Sequence, residues 1–328
     1  MHRWFKPVPN QPPDGDAMAV WLTSSEVVRE DGVVLSWSHP DHPGHPYPEA
    51  AALWLARAAW LVGRGVGPSG AQVQAVRDRL AGDLRASDGI GRDGRVYLFD
   101  TALAIHALAS ISEAYPDLIS SEAVDPASYR GTVLRFLDAD LPSLGSGDER
   151  SCRWSERWAP HLYRAASFLA RTAARLGDEG WRDAALEVRR RATREAPADY
   201  CHARAYAVEG EVIWRALGEA PGQLDPAAEA LAFVRLQRDD GGLPAYMDGS
   251  GPHRADATAQ AIRLWALVDL PAHGESISRA LDFLACLQAP SGGIFYEAGS
   301  ADVNTWASVF VDQALCWTRS GADPLDLL

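Results

Sequence analysis

The chain has 328 residues, 47% of them hydrophobic and 23% charged, a globular composition with ample apolar material for a large core. Its formal net charge of −13 repels phosphate backbones, which argues against nucleic acid as a partner. No apolar run approaches the roughly 20 residues needed to span a bilayer. Residues 1–15 are polar and proline-rich, without the apolar stretch of a signal peptide, so the expectation is a cytoplasmic protein with no membrane span.

Residues 1–45 read as an N-terminal extension packing on the rest, and 46–328 as one domain. Apolar residues in that domain recur at helical spacing. The periodicity predicts eleven helices, over 48–64, 71–86, 100–115, 127–141, 160–176, 179–194, 202–217, 226–237, 256–268, 276–288 and 303–319. Strand-type alternation is confined to short stretches such as 33–37. Short glycine-bearing loops, 65–70 and 177–178, close antiparallel helix hairpins. Long loops, 87–99, 142–159, 239–255 and 289–302, step from one hairpin to the next. Because the two kinds alternate, the long loops should gather at one end, and long loops in compact domains usually carry function. The expected fold is all-α, an (α/α)6-type toroid with a cleft at that end.

A weak repeat runs through the long loops. Residues 231–243 read LAFVRLQRDDGGL and 281–294 read LDFLACLQAPSGGI. Residues 81–95 are a degenerate copy carrying Asp88-Gly89 and Asp93-Gly94. An aspartate recurs at the step into the next helix: Asp100 before Thr101, Asp256 before Ala257 and Thr258, Asp302 before Val303 and Asn304. The plain reading of such an aspartate is an N-cap, its carboxylate accepting free backbone N–H groups.

The stretch QRDDGGLPAYMDGSGPHRADATAQA resembles the segment of squalene–hopene-type cyclases that runs from a QxxxGG repeat into the acidic DxDDTA motif. Asp256, Thr258 and Ala259 match that motif, and the resemblance puts Asp256 where the family holds its catalytic proton donor. The flanking acids of the motif are replaced here by Arg254 and Ala257. A longer resemblance rests on PYPEAAALWL, LFDTALAIHAL, HARAYAVEG, DATAQAIRLW and DVNTWASVFVDQALCW, in that order. These pieces look like six-hairpin proteins associated with polysaccharide biosynthesis, which implies the toroid fold and a glycan substrate.

Polar residues at the starts of alternate helices should converge, with Glu49, Asp100, His202 and Asp256 opening toward one cavity. His202, Tyr206 and Glu209 stand at i, i+4 and i+7 and share one helix face. A His/Tyr pair can serve as base and acid in proton transfer, for example beside a uronate carboxylate. The alternative is a polar stripe facing neighbouring helices. Glu49 with Asp100 or Asp256 can form the acid and base of glycoside hydrolysis; the plainer reading of Glu49 is a first-turn residue favoured by the helix dipole. The candidate catalytic set is therefore Glu49, Asp100, His202, Tyr206 and Asp256. Candidate substrate contacts are Arg95, Trp154, Trp158, His161, Tyr246, Arg254, Tyr296 and Asn304, because arginine forks bind carboxylates and aromatic faces stack on sugars. Arg92, Arg153, Arg157, Arg238 and Phe295 lie in the same loops.

Trp54, Trp60, Trp265 and Trp317 sit on apolar helical faces and read as core, as do Cys286 and Cys316. Cys152 and Cys201 complete four scattered cysteines with no CxxC pair, so neither a disulfide framework nor a metal is expected. Asp199, Cys201 and His202 resemble in type the zinc set of protein prenyltransferases, but here they are nearly contiguous. No phosphate-loop, dinucleotide or nucleophile-elbow motif is present, and no cofactor is expected. The leading functional expectation is an enzyme acting on a carbohydrate or glycan, as lyase, epimerase or hydrolase. The alternatives are a terpene cyclase using Asp256 and a non-catalytic toroid that binds a glycan or protein. Nothing in the sequence sets the oligomeric state.

Overall fold

The computed structural model describes residues 11–65, 67–92, 94–118, 126–145 and 154–328. Cys152, Arg153 and Asp93 of the sequence reading lie outside these. Among the described residues there are twelve α-helices: α1 Gly15–Leu22, α2 Pro48–Val62, α3 Gly70–Ser87, α4 Leu98–Ala114, α5 Arg130–Asp138, α6 Leu162–Leu176, α7 Glu179–Arg191, α8 Cys201–Ala216, α9 Pro226–Leu236, α10 Ala255–Asp269, α11 Gly274–Cys286 and α12 Thr305–Ser320. The chain forms two compact units. The first holds 28–35, 46–198 and Leu328; the second holds the described residues up to Val27 together with 36–45 and 199–327. No helix among the described residues is long and apolar enough to cross a membrane.

In the first unit α2 packs on α4 and α4 on α6, while α3, α5 and α7 flank them. Every residue of α4 from Leu98 to Ile111 is buried. A helix apolar on all sides belongs inside, and the run LFDTALAIHALASI is apolar on all sides apart from Asp100, Thr101, His106 and Ser110. The flanking α7 instead buries Trp181, Ala184, Ala185 and Val188, one stripe at i, i+3, i+4 and i+7. The second unit repeats the plan. Here α10 packs on α8 and α12, with α9 and α11 beside it, and α1 packs on α12.

Helix α1 is absent from the sequence reading. It is only eight residues long, too short for periodicity to register, and it is capped by Asp14, whose carboxylate accepts the Asp16 and Ala17 N–H groups at 3.0 Å. Its packing on α12 makes part of the expected N-terminal extension an integral member of the second unit.

The long loops fold back as two- and three-residue strands. They are β1 Trp37–Ser38, β2 Gly91–Arg92, β3 Arg95–Tyr97, β4 Ser143–Gly145, β5 Leu243–Pro244, β6 His253–Arg254, β7 Ile294–Phe295 and β8 Val303–Asn304. They pair antiparallel in the orders β2-β3-β4, β5-β6 and β1-β8-β7. The β2–β3, β5–β6 and β7–β8 hairpins each run straight into an inner helix, which fixes where that helix starts.

The repeat is a fastener for these hairpins. Gly241 and Gly292 adopt φ of +89° and +103°, and a Cβ on either would sit 1.9 Å from the Arg279 carbonyl oxygen or 2.3 Å from that of Ala17. Only glycine fits such a turn against a helix backbone. The glutamine four residues earlier closes the turn: Gln237 Nε2 donates to Gly241 O and Ser276 O, and Gln288 Nε2 to Gly292 O and Asp14 O. The next apolar residue is held by a hydroxyl in the first turn of the following helix. Leu243 N–H donates to Thr258 Oγ1 and Ile294 N–H to Ser308 Oγ, each at 2.9 Å, and in the first unit Ile90 N–H donates likewise to Thr101. In this register Asn304 corresponds to Arg254, so Asp302 is not the counterpart of Asp256.

Candidate functional site

Polar side chains cluster at the starts of inner helices in both units. In the first, Tyr47 precedes α2, Glu49 lies in its first turn, and Asp100 lies in the first turn of α4. Asp100 is no cap, because α4 begins at Leu98. The Tyr47 hydroxyl donates a short hydrogen bond to Asp100 Oδ2, and Arg92 lies 5.3 Å over the Tyr47 ring. Burial raises the Asp100 carboxyl to about 6, against the pull of the Tyr47 hydrogen bond and Arg92. Burial, reinforced by the Asp100 charge, holds the Glu49 carboxyl well above the usual range, although Arg92 opposes it. A cavity of about 220 Å³ opens beside Tyr47 and Pro48, with Arg79, Asp83 and Ser87 in its wall.

The second cluster has the opposite electrostatics. Arg254 grips Asp256 through two hydrogen bonds, Nη2 to Oδ2 at 2.6 Å and Nε to Oδ1 at 3.1 Å, and the Ala257 N–H adds a third at 2.7 Å. Burial pushes the Asp256 carboxyl up, but Arg254, His202 and these hydrogen bonds outweigh it, and the group lies below the ordinary carboxylate range. An ionised Asp256 does not suit the proton-donor role that the cyclase resemblance implies. The sequence difference at Arg254 is the physical reason.

His202 Nδ1 lies 2.7 Å from Gln260 Oε1 and 3.6 Å from Asp256 Oδ2. The Gln260 carbonyl oxygen at hydrogen-bond distance, with the Asp256 carboxylate close by, favours the tautomer protonated at Nδ1. Burial lowers the pKa of His202, partly offset by Asp256, so the ring is neutral near pH 7. Tyr206 packs edge-on against it with ring centroids 4.5 Å apart, and Phe310 stacks on His202 from the other helix. Glu209, one turn further on, pairs with the fully buried Arg263 and faces the core. Burial pushes the Cys201 thiol up to about 12, with Asp256 adding to it, which disfavours the thiolate that a metal would need. Among the described residues no three His, Cys, Asp or Glu side chains are grouped to hold a metal ion.

The structure thus gathers Glu49 with Asp100, and His202 with Tyr206 and Asp256, each set inside one unit. The expected substrate contacts divide. Tyr246 is 44% exposed beside Tyr200. Tyr296 is partly exposed and lies under the Arg254 guanidinium at 3.6 Å. Arg95 is half-buried in an ion pair with Glu156. Asn304 is buried and caps α12, its Oδ1 accepting the Ala307 N–H at 2.9 Å. Trp158 is a packing anchor, its indole N–H donating to Asp140 O and its ring flanked by Arg191 and Arg194. His161 is buried against the half-exposed Trp154, its pKa lowered to about 3 by burial and by Arg157. Cys286 and Cys316 are half-buried rather than core, because each lies in the last turns of its helix. Trp60 likewise keeps solvent contact, with Arg64 over its ring.

The sequence reading missed Gln260 and Tyr200 as partners of this site, and Trp37 and Trp306 beside it. Gln260 was findable, since it stands four residues after Asp256 on the same helix face. Tyr200 offered no comparable signal, because its ring meets Arg254 only through the fold.

No family model matches the sequence, and no curated protein matches it. Solved structures do. The chain is similar to an unsaturated glucuronyl hydrolase specific for heparin, at TM-score 0.63 and 13% identity, over 93% of this chain and 95% of that one. The fold is an (α/α)6-type toroid. A cellobiose 2-epimerase from Spirochaeta thermophila shares it at TM-score 0.58 and 16% identity, over 92% of each chain. So does a type II terpene cyclase from Scytonema, at TM-score 0.53 and 16% identity, over 95% of this chain and 97% of that one. At such identities the likeness is one of fold, and toroids host several chemistries.

Proposed function

We propose that the chain is an enzyme acting on a glycan by acid/base catalysis, with Glu49 as general acid and Asp100 as the carboxylate that activates water or attacks. The observation that carries this reading is the carboxyl pair of the first unit, in which Glu49 holds its proton well above the usual range while Asp100 titrates at about 6. Two carboxyls whose surroundings set their proton affinities apart are what glycoside hydrolysis requires. The longer sequence resemblance, and fold neighbours that include a glucuronyl hydrolase and an epimerase, support a glycan as the substrate class.

The second reading is an epimerase or lyase centred on His202 and Tyr206, favoured by the neutral imidazole packed against the phenol ring. One pair of variants separates the two. On the true substrate, Glu49→Gln should cost at least about a hundredfold in kcat if the carboxyl pair is the machinery, the usual range for acid/base catalysis. Tyr206→Phe should then change little. The reverse pattern establishes the His/Tyr chemistry, and two variants with full turnover and normal Tm remove both.

A further inference from the structure

We infer that the partly exposed rings of Trp37, Trp306 and Tyr296 in the second unit form a stacking platform for the sugar rings of a neutral glycan chain. The inference rests on the glycan reading above and adds a binding surface to it. Most of the described tryptophans are buried, but Trp37 and Trp306 keep solvent contact and meet each other edge to face, with centroids 6.4 Å apart. Trp306 meets Tyr296 in the same way at 5.7 Å. Exposed His45 stacks on Trp37 at 4.8 Å. At the other end Tyr296 lies under Arg254, whose guanidinium also lies 5.3 Å from the Tyr200 ring and donates to its hydroxyl, and Tyr200 meets both Tyr246 and His202. The rings therefore make one continuous row that ends on the Arg254–Asp256–His202 cluster.

The row is held by backbone rather than by side-chain packing alone. Trp37 stands opposite Asn304 in the β1–β8 ladder, and Trp306 lies in the first turn of α12, whose first N–H, that of Thr305, donates to Ser36 O at 2.8 Å. Tyr296 accepts the Ala255 N–H at its carbonyl and donates its own N–H to Asp302 O. Rings fixed in this way lose little conformational freedom on binding. Among the described residues no protein acceptor engages the indole N–H of Trp37 or Trp306, or the Tyr296 hydroxyl, in contrast to Trp21, Trp158 and Trp265, whose indoles donate within the protein. His45 covers one face of Trp37 and Arg254 lies over Tyr296, and neighbouring rings stand 80° apart, so the row presents rings in steps with unengaged donors at their rims, which suits sugars with their C–H faces and hydroxyl rims. Among the described residues, the cation that lies against the row is Arg254, which is already neutralised by Asp256 and faces Glu297. The platform therefore offers stacking and hydrogen bonds rather than charge, and a neutral chain fits it better than a polyanion.

The test is retardation of the purified protein in native gels containing xyloglucan, glucomannan, mixed-linkage β-glucan or dextran, with heparin as the polyanionic comparison. At least one neutral glycan should slow the wild-type protein. Trp306→Ala should weaken that retardation about tenfold, the order expected for one lost aromatic contact, and Trp306→Phe should keep most of it. Trp37→Ala should act in the same direction, which covers the case of an unfolded Trp306→Ala, and Tm is measured for each variant. Retardation by none of the neutral glycans, retardation by heparin alone, or undiminished retardation of both folded alanine variants overturns the inference. The catalytic reading fails separately: if Glu49→Gln turns over normally while Trp306→Ala loses binding, the hydrolase chemistry is wrong and the platform stands.

Discussion

Asp100 and Asp256 occupy comparable places, both buried in the first turn of an inner helix that follows a long loop, yet their carboxyls lie on opposite sides of the ordinary range. Asp256 has Arg254 two residues before it and accepts two guanidinium hydrogen bonds. Asp100 accepts from a neutral phenol, and Arg92, over the Tyr47 ring, acts on it through its charge. Burial acts upward on both, and only a bidentate cation reverses it. Helix position and burial alone therefore do not set the protonation state; whether the nearest hydrogen-bond donor carries a charge decides if burial is overcome.

The largest expected effect that probes this contrast is in the second unit. Arg254→Leu leaves Asp256 buried without its cation and should cost about 3–5 kcal/mol of stability, the usual loss when one partner of a buried pair is removed. Adding Asp256→Asn should recover much of it. If Arg254→Leu melts like the wild-type protein, the pair is not what holds the carboxylate.

A second effect is one of sign. Asp100 binds its proton more tightly in the folded protein, at about 6, than an unfolded aspartate does at about 3.9. Wild-type stability relative to Asp100→Asn should therefore fall as pH rises from about 4 to 6. Asp256 binds its proton less tightly when folded, so wild-type stability relative to Asp256→Asn should be greatest above about 4 and shrink as pH falls further. Tm measured against pH for both variants checks this, and parallel slopes would remove the distinction.

The smallest effect sharpens the register of the repeat. Asn304 caps α12 and Asp302 does not, so Asn304→Ala should cost about 1 kcal/mol and Asp302→Ala less than about 0.5 kcal/mol in thermal or urea unfolding. The reverse order would restore the aspartate register.

Much of the architecture was legible. The all-round apolar run of α4 and the stripe of α7 announce inner and outer helices without any tertiary information, and eleven of the twelve described helices were placed within a few residues. Helix α1 escaped because eight residues hold barely two turns of pattern. The site was legible in part. The i, i+4 spacing of His202 and Tyr206 puts both on one helix face, and their rings meet there. The repeat was found by its glycines, which are sequence-visible, and misaligned at its aspartates, because the atoms that define its register are the Thr258 and Ser308 hydroxyls bonded to backbone N–H groups fourteen or fifteen residues away.

By itself the sequence determined the all-helical class, the hairpin plan and the acidic character of the protein, because periodicity and composition act locally and add along the chain. Only the tertiary structure decided that Asp256 is ionised and Asp100 is raised, that Asn304 is a cap and Trp158 an anchor, and that Trp37 and Trp306 meet. Each of those depends on the atoms a side chain meets once distant helices have packed, and the energies of burial and pairing are set there.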